Sequence, residues 1–197
     1  VSFDLLSIEQ EAMYETIAAA SQSAVMVKSQ ASWQRYLARM SGGRGRYVFW
    51  TDQDRDRLIK ETHPDIYEEW KSLPLAVMKV DVWRYAALLK HGGIYADLDL
   101  VVGPNAPGMF GPCELLCTTE NAAHFCNWLL AAPAGSQLVT HILTCIKARL
   151  KAAHPVDALH FAKDEHTVHS VTGPAAFTEA IKASSAVWSG IAARAQH

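Results

Sequence analysis

Along this chain, apolar residues spaced three and four apart alternate with short runs in which nearly every position is apolar, a rhythm of helices and strands. Ser7-Ile8-Glu9-Gln10 has capping-box spacing and predicts a helix through about Val25. Trp33, Leu37 and Met40 predict a second helix ahead of Gly42-Gly43. Tyr47 to Trp50 reads as a short aromatic strand, after which Thr51 caps a helix that ends at His63-Pro64. A short helix through Trp70 precedes the turn Leu73-Pro74-Leu75, with Pro74 at or near the first turn of a long segment running to His91. Further on, Leu115 to Cys117 and Trp128 to Leu130 read as strands, and Ser136 opens a helix to about Lys151. The polar stretch from His154 to Glu165 reads as loop with solvated histidines, the alternation from His166 to Val171 as strand, and Ala175 to Ala183 as helix. Strands interleaved with helices imply an α/β layer fold. No repeat, low-complexity tract or linker divides the chain, so residues 1–197 are expected to form a single domain.

The segment from Leu75 to His91 is apolar on nearly every side, which predicts a buried helix, yet it carries Asp81 and Arg84. At i,i+3 spacing these two are either a surface ion pair or a buried, functional one; their apolar company, Val80, Val82, Trp83, Tyr85 and Ala86 to Leu89, favours the second. Lys90-His91 followed by Gly92-Gly93 is a helix stop, and Ile94-Tyr95-Ala96 then reads as a short buried strand. If the chain stays extended from Asp97 to Asp99, both carboxylates point to one face at the strand's end. Two such acids suit a hard cation, Mg²⁺ or Mn²⁺, with positions left for phosphate oxygens; a solvated turn is the plainer alternative. Trp50, also at a strand end, is either core or a platform for a flat ring.

Composition narrows the classes. Half the residues are hydrophobic and 19% charged, as in a globular chain, and a net charge of −2 with no basic run gives no reason to expect nucleic acid. No apolar stretch reaches the ~18 residues that span a bilayer, so membrane association is expected only through segments absent here. The four cysteines form no Cys-x-x-Cys pair, which argues against zinc; they fit a reduced compartment, with disulfides in a secretory lumen as the alternative. A chain opening on Val1 is expected to have had something upstream.

Taken in order, Ser32-Trp33, Phe49-Trp50-Thr51-Asp52, Leu73-Pro74, Asp81-Val82-Trp83-Arg84-Tyr85, Gly92 to Asp99 and Thr172-Gly173-Pro174 resemble the sugar-binding region of glycosyltransferase family 32. Its members include fungal initiating α-1,6-mannosyltransferases, inositol-phosphoceramide mannosyltransferases and α-1,4-galactosyltransferases. The aspartate–arginine helix followed by Gly-Gly-x-Tyr-x-Asp-x-Asp is the specific part. The resemblance implies a GT-A, Rossmann-like domain with a mixed sheet flanked by helices. It also implies retaining transfer from a nucleotide sugar with Mn²⁺ (or Mg²⁺). By the same resemblance, Asp99 is the direct metal ligand, and Asp97 touches the metal through water or the donor ribose. Asp81 and Arg84 hold sugar hydroxyls and diphosphate, Trp50 stacks on the base, and Tyr85, Gly93 and Tyr95 complete the donor site. The donor is expected to be GDP-mannose, with UDP-galactose as rival, and the acceptor a glycan or glycolipid hydroxyl. Glu120 is either a catalytic carboxylate or a surface acid at a loop end.

Two departures accompany the resemblance. Residues 1–30 lack the family's Ile/Pro-rich first strand, and the family's His…Ser-Trp tail is missing, which implies a domain incomplete at both ends. A nucleotide-sugar-binding module without turnover is therefore one alternative. A metal-dependent phosphohydrolase is another, although it needs more ligands than cluster near Asp97 and Asp99. The resemblance places a eukaryotic chain in the Golgi lumen, as the soluble part of a type II membrane protein, and a bacterial one in the cytoplasm.

Overall fold

The computed structural model describes residues 24–40, 45–103, 106, 113–152, 165–184 and 191–193. In chain order the elements are α1 (Ala24–Met40), α2 (Asp52–Thr62), a 3-10 turn (Pro64–Ile66), α3 (Tyr67–Ser72), α4 (Ala76–His91), β1 (Gly93–Ala96), β2 (Leu115–Thr119), β3 (Phe125–Ala132), α5 (Gln137–Ala152), α6 (Glu165–Val171), α7 (Pro174–Ala183) and β4 (Ile191–Ala193). The sheet order is β1-β3-β2-β4; β3 runs antiparallel to both neighbours, and β2 and β4 are parallel. The chain is thus a mixed α/β structure. No described helix is long and apolar enough to cross a membrane.

Alternation along the strands sorts the core into two layers. Tyr95, Leu115, Cys117, Leu130 and Ala132 face a large cluster with α4, α5 and α7, while Ile94, Ala96, Leu116, Leu129 and Ala131 face Trp33, Tyr36 and Leu37 of α1. The pairing of β1, β2 and β3 agrees with that alternation: Tyr95 pairs with Leu130 and Leu116 with Ala131. The middle of α4 is buried on all sides, as its unbroken apolar composition requires.

Local chemistry sets the boundaries. Thr51 and Asp54 form a reciprocal capping box at the start of α2, so Thr51 is the structural cap that its position suggested. Ser136 Oγ accepts from the Val139 N–H at 3.2 Å and donates to the Glu114 carbonyl at 2.8 Å, starting α5 and tying it to the approach to β2. Gly92 ends α4 with φ +70°, and a Cβ there would lie 2.6 Å from the Ala134 nitrogen. The loop after β3 crosses so closely that Gly135 N–H donates to the Leu89 carbonyl at 2.8 Å. Only glycine satisfies both the handedness and the close approach.

Three expectations are corrected. Tyr47 to Trp50 is irregular and pairs with no described strand; Phe49 is exposed, and Trp50 packs on α4 instead of joining the sheet. Residues 166–171 belong to helix α6: their alternation and β-branched residues look like a strand, but packing against α5 and α7 decides the conformation. Asp97 to Asp99 is not extended. The strand ends at Ala96, and a turn closes from the Asp97 carbonyl to the Leu100 N–H at 3.1 Å. The helix expected from Ser7 lies outside the described residues except for its last positions, which belong to α1.

Candidate active site

The site begins with the two charges on α4. Asp81 and Arg84 are each only 3% exposed and form an ion pair of 2.9 Å. Asp81 also accepts from Asn127 Nδ2 at 3.0 Å and from Thr172 Oγ1 at 2.8 Å, while Arg84 donates to the Asn127 carbonyl. This network joins three distant stretches: α4, β3 and the Thr172-Gly173-Pro174 turn. Burial pushes the Asp81 carboxyl up from its ordinary value, against the pull of Arg84, Thr172 and Asn127.

Arg84 reaches from this network toward the Asp-x-Asp turn. Its guanidinium lies over the Tyr95 ring at 4.5 Å and 3.7 Å from an Asp97 oxygen, and Tyr95 donates its hydroxyl to the same carboxylate. Partial burial raises the Asp97 carboxyl; Arg84 and the Tyr95 hydroxyl lower it, and Asp99 raises it again, leaving it above its usual value. The Asp97 N–H still donates to the Trp128 carbonyl at 2.9 Å, so the backbone stays anchored to β3 up to the residue where the turn begins. Beyond the turn, α1 takes hold: Trp33 Nε1 donates to the Leu100 carbonyl at 2.9 Å, and Val102 N–H donates to Ser32 Oγ at 3.0 Å.

These groups border a cavity of about 300 Å³, within the range of small-ligand sites. Asp97, Asp99, Arg84, Tyr95, Trp83, Arg55, Val77 and Val80 all line it. The turn therefore defeats the expected strand geometry but still delivers both acids to one space. Asp97 is half-buried and Asp99 exposed. Two buried donors in the wall, Arg84 Nε and Trp83 Nε1, have no hydrogen-bond partner among the described residues. Unpaired buried donors are costly unless something else satisfies them.

The donor set fits a divalent metal. Asp97 and Asp99 are hard oxygen ligands at the mouth of a cavity, too few to enclose an ion, so waters or phosphate oxygens would complete its shell. The other expected residues sit elsewhere. Asp81 is not in the cavity wall, and its two oxygens are taken by Arg84, Asn127 and Thr172. Tyr85 stacks on Phe177 at 5.6 Å and accepts from Asn127, and Gly93 is buried in β1 opposite Ala132. Trp50 packs edge-on against Trp83 at 5.6 Å and beside His91 at 5.5 Å, off the cavity lining. Neither Arg55 nor Asn127 stands out in the pattern along the chain. Arg55 looks like a solvated partner of Asp52, with which it pairs, yet it is buried in the cavity wall with its guanidinium over Trp83 at 5.8 Å. Its spacing three residues before Leu58 on the buried face of α2 was the available signal.

An acidic turn, a buried arginine and a cavity at the edge of a sheet are chemically suited to an anionic ligand bridged by a metal. Residues 16–108, a little under half of the chain, match the family described as "Glycosyltransferase sugar-binding region containing DXD motif". The chain is 41% identical over 54 residues to inositol phosphoceramide mannosyltransferase 3 of Schizosaccharomyces pombe, covering 27% of this chain and 15% of that protein. It is 27% identical over 141 residues to the initiation-specific α-1,6-mannosyltransferase of the same yeast, covering 59% of this chain and 34% of that one. The chain thus spans well under half the length of these relatives. Among solved structures, PaToxG glycosyltransferase superposes with a TM-score of 0.56 over 92% of this chain and 73% of its own, at 13% identity, a likeness of fold.

Proposed function

We propose that this chain is the donor-binding and catalytic region of a metal-dependent, retaining hexosyltransferase of GT-A, Rossmann-like fold, with GDP-mannose as donor and a glycan or glycolipid hydroxyl as acceptor. One observation carries the reading: a buried arginine, braced by Asp81 and carrying an unsatisfied Nε–H, shares a cavity with both acids of the Asp-x-Asp turn. That pairing of fixed cation and metal-ligating carboxylates suits a diphosphate leaving group.

Asp99 and Asp97 would hold Mn²⁺ or Mg²⁺, which when bound supplies Lewis-acid stabilisation of charge growing on the diphosphate. Arg84 binds the same group from the cavity wall with hydrogen bonds oriented before the donor arrives. Arg55 adds a second buried cation. Val80 and Trp83, both buried, give the cavity an apolar wall beside Arg84, which strengthens those contacts. Asp81 is a positioning residue: held by Asn127 and Thr172, it fixes the guanidinium and keeps it from swinging toward solvent. Mannose is favoured over galactose because the relatives named above are mannosyltransferases.

The test is the full-length protein incubated with Mn²⁺, GDP-mannose or UDP-galactose and a pool of glycans and glycolipids, with product linkage read by NMR. An α-linked mannoside is expected. A β-linkage would end the retaining assignment, and a galactoside would change the donor alone. Phosphate-ester hydrolysis without glycoside would favour a phosphohydrolase. Donor binding with no transfer would leave a nucleotide-sugar-binding module.

A further inference from the structure

The structure carries a second cluster of metal-ligating side chains, made of residues the transfer reading does not use. We propose that Glu120, His124 and His169 form a transition-metal site, suited to zinc, that clamps the tip of the β2–β3 hairpin onto α6.

Glu120 and His124 bracket the hairpin turn, and the turn holds them in place. Glu120 N–H donates to the His124 carbonyl at 2.9 Å, and Asn121 Oδ1 accepts from the Ala123 N–H at 2.8 Å and the His124 N–H at 3.0 Å. His169 approaches from α6, its ring edge-on to that of His124 with centroids 4.8 Å apart. Its Nε2 lies 3.9 Å from Glu120 Oε2, too far for a hydrogen bond. One ligand atom from each of the three residues lies within 4.8 Å of the others. A tetrahedral zinc with bonds of ~2.0–2.1 Å sets its ligand atoms about 3.3 Å apart, so closing the site takes side-chain rotations of an ångström or so. All three side chains are at least partly exposed and free to make them.

The ligand types select the ion. Two imidazoles and one carboxylate suit zinc, whereas the all-oxygen pair Asp97 and Asp99 suits Mg²⁺ or Mn²⁺. Three protein ligands leave the fourth position to water. No cysteine is needed, so the lack of a Cys-x-x-Cys pair does not bear on this site.

The location gives the ion a structural role. The hairpin already meets α7 through the Phe125 N–H donating to Thr178 Oγ1 at 2.8 Å and Lys182 Nζ donating to the Ala123 carbonyl at 3.3 Å. A metal would add a third tie, to α6. Three residues beyond His169, Thr172 donates to Asp81, and seven residues beyond Glu120, Asn127 does the same. The site therefore joins the two segments that brace Asp81 and, through it, Arg84.

The experiment titrates ZnCl₂ into the Asp97→Asn/Asp99→Asn variant of the chain, with the Asp-x-Asp turn disabled, and follows heat and melting temperature. One zinc per chain and a raised melting temperature are expected, with Co²⁺ giving the intense visible absorption of a tetrahedral site. Adding His124→Ala and His169→Gln, each confirmed folded by circular dichroism, should weaken zinc binding at least tenfold singly and abolish the Co²⁺ band together. Zinc affinity unchanged in both histidine variants overturns the proposal. So does a parent that binds no zinc, or a Co²⁺ spectrum of the weak octahedral kind. Because no donor is used, failure here is separable from failure of the transfer reading.

Discussion

Replacing Arg84 with methionine removes the guanidinium while keeping much of its volume, so the effect is electrostatic and not a cavity. In the folded chain this leaves the Asp81 carboxylate, 3% exposed, with only two neutral donors: Asn127 Nδ2 at 3.0 Å and Thr172 Oγ1 at 2.8 Å. Stranding one partner of a buried pair costs about 3–5 kcal/mol, a large part of the ~5–15 kcal/mol that holds a domain together. For a chain of this size that is a fall of about 6–20 °C in melting temperature. Urea unfolding at constant m-value reads the change directly. Asp81→Asn/Arg84→Met, which removes both charges, should recover at least about 1 kcal/mol relative to Arg84→Met alone. Both variants should lose donor binding, because neither retains the guanidinium. An Arg84→Met cost below about 1 kcal/mol, the value of an exposed pair, would refute the buried network as the organising feature of α4.

Three further outcomes follow from particular contacts. Gly92→Ala should cost about 2 kcal/mol or more in urea unfolding, since it places a Cβ at positive φ and 2.6 Å from the Ala134 nitrogen; a neutral result would mean that the loop after β3 gives way freely. Thr172→Val should cost about 1.5–3 kcal/mol by removing a hydrogen bond to a buried carboxylate, and Thr172→Ser should restore most of it; equal costs for both would assign the loss to packing. Burial and the nearby Lys147, opposed by Asp65, lower the His63 pKa from 6.5 to about 4. The unfolded chain therefore takes up the proton first, so this contribution is complete above about pH 6.5 and is lost as pH falls toward 4, by about 1–2 kcal/mol once solvent screening is allowed for. His63→Gln should flatten that slope in urea midpoints measured between about pH 7 and 4.5, and an unchanged slope would place the effect on another group.

What could be read from the chain follows the range of the forces involved. The burial of α4, its stop at Gly92, the cap at Thr51 and the strands through Leu116 and Leu129 depend on neighbours in sequence, and the structure has them where the pattern put them. The strand expected for 166–171 failed because β-branched alternation is a weak signal that packing against α5 and α7 overrides. The geometry of Asp97 and Asp99 failed for a related reason: strand pairing ends at the Trp128 carbonyl, and nothing local says that the next residues turn. Asp81 was recognisable as more than a surface charge, but its partners, 46 and 91 residues away, are not encoded in spacing. Arg55 was hidden by an adjacent acid that made it look solvated.

The proposed transfer depends on a donor diphosphate held between Arg84 and a divalent ion on the Asp-x-Asp turn. Calorimetry of GDP and UDP with the chain and with Asp99→Asn, each in Mn²⁺ and in chelator, tests this most directly. Asp99 is exposed, so its substitution should move stability by less than about 0.5 kcal/mol and leave the fold intact. At least one nucleotide should bind the parent in Mn²⁺, with affinity lost both in chelator and in Asp99→Asn. Equal nucleotide affinity in chelator, or binding undiminished in the variant, would contradict it.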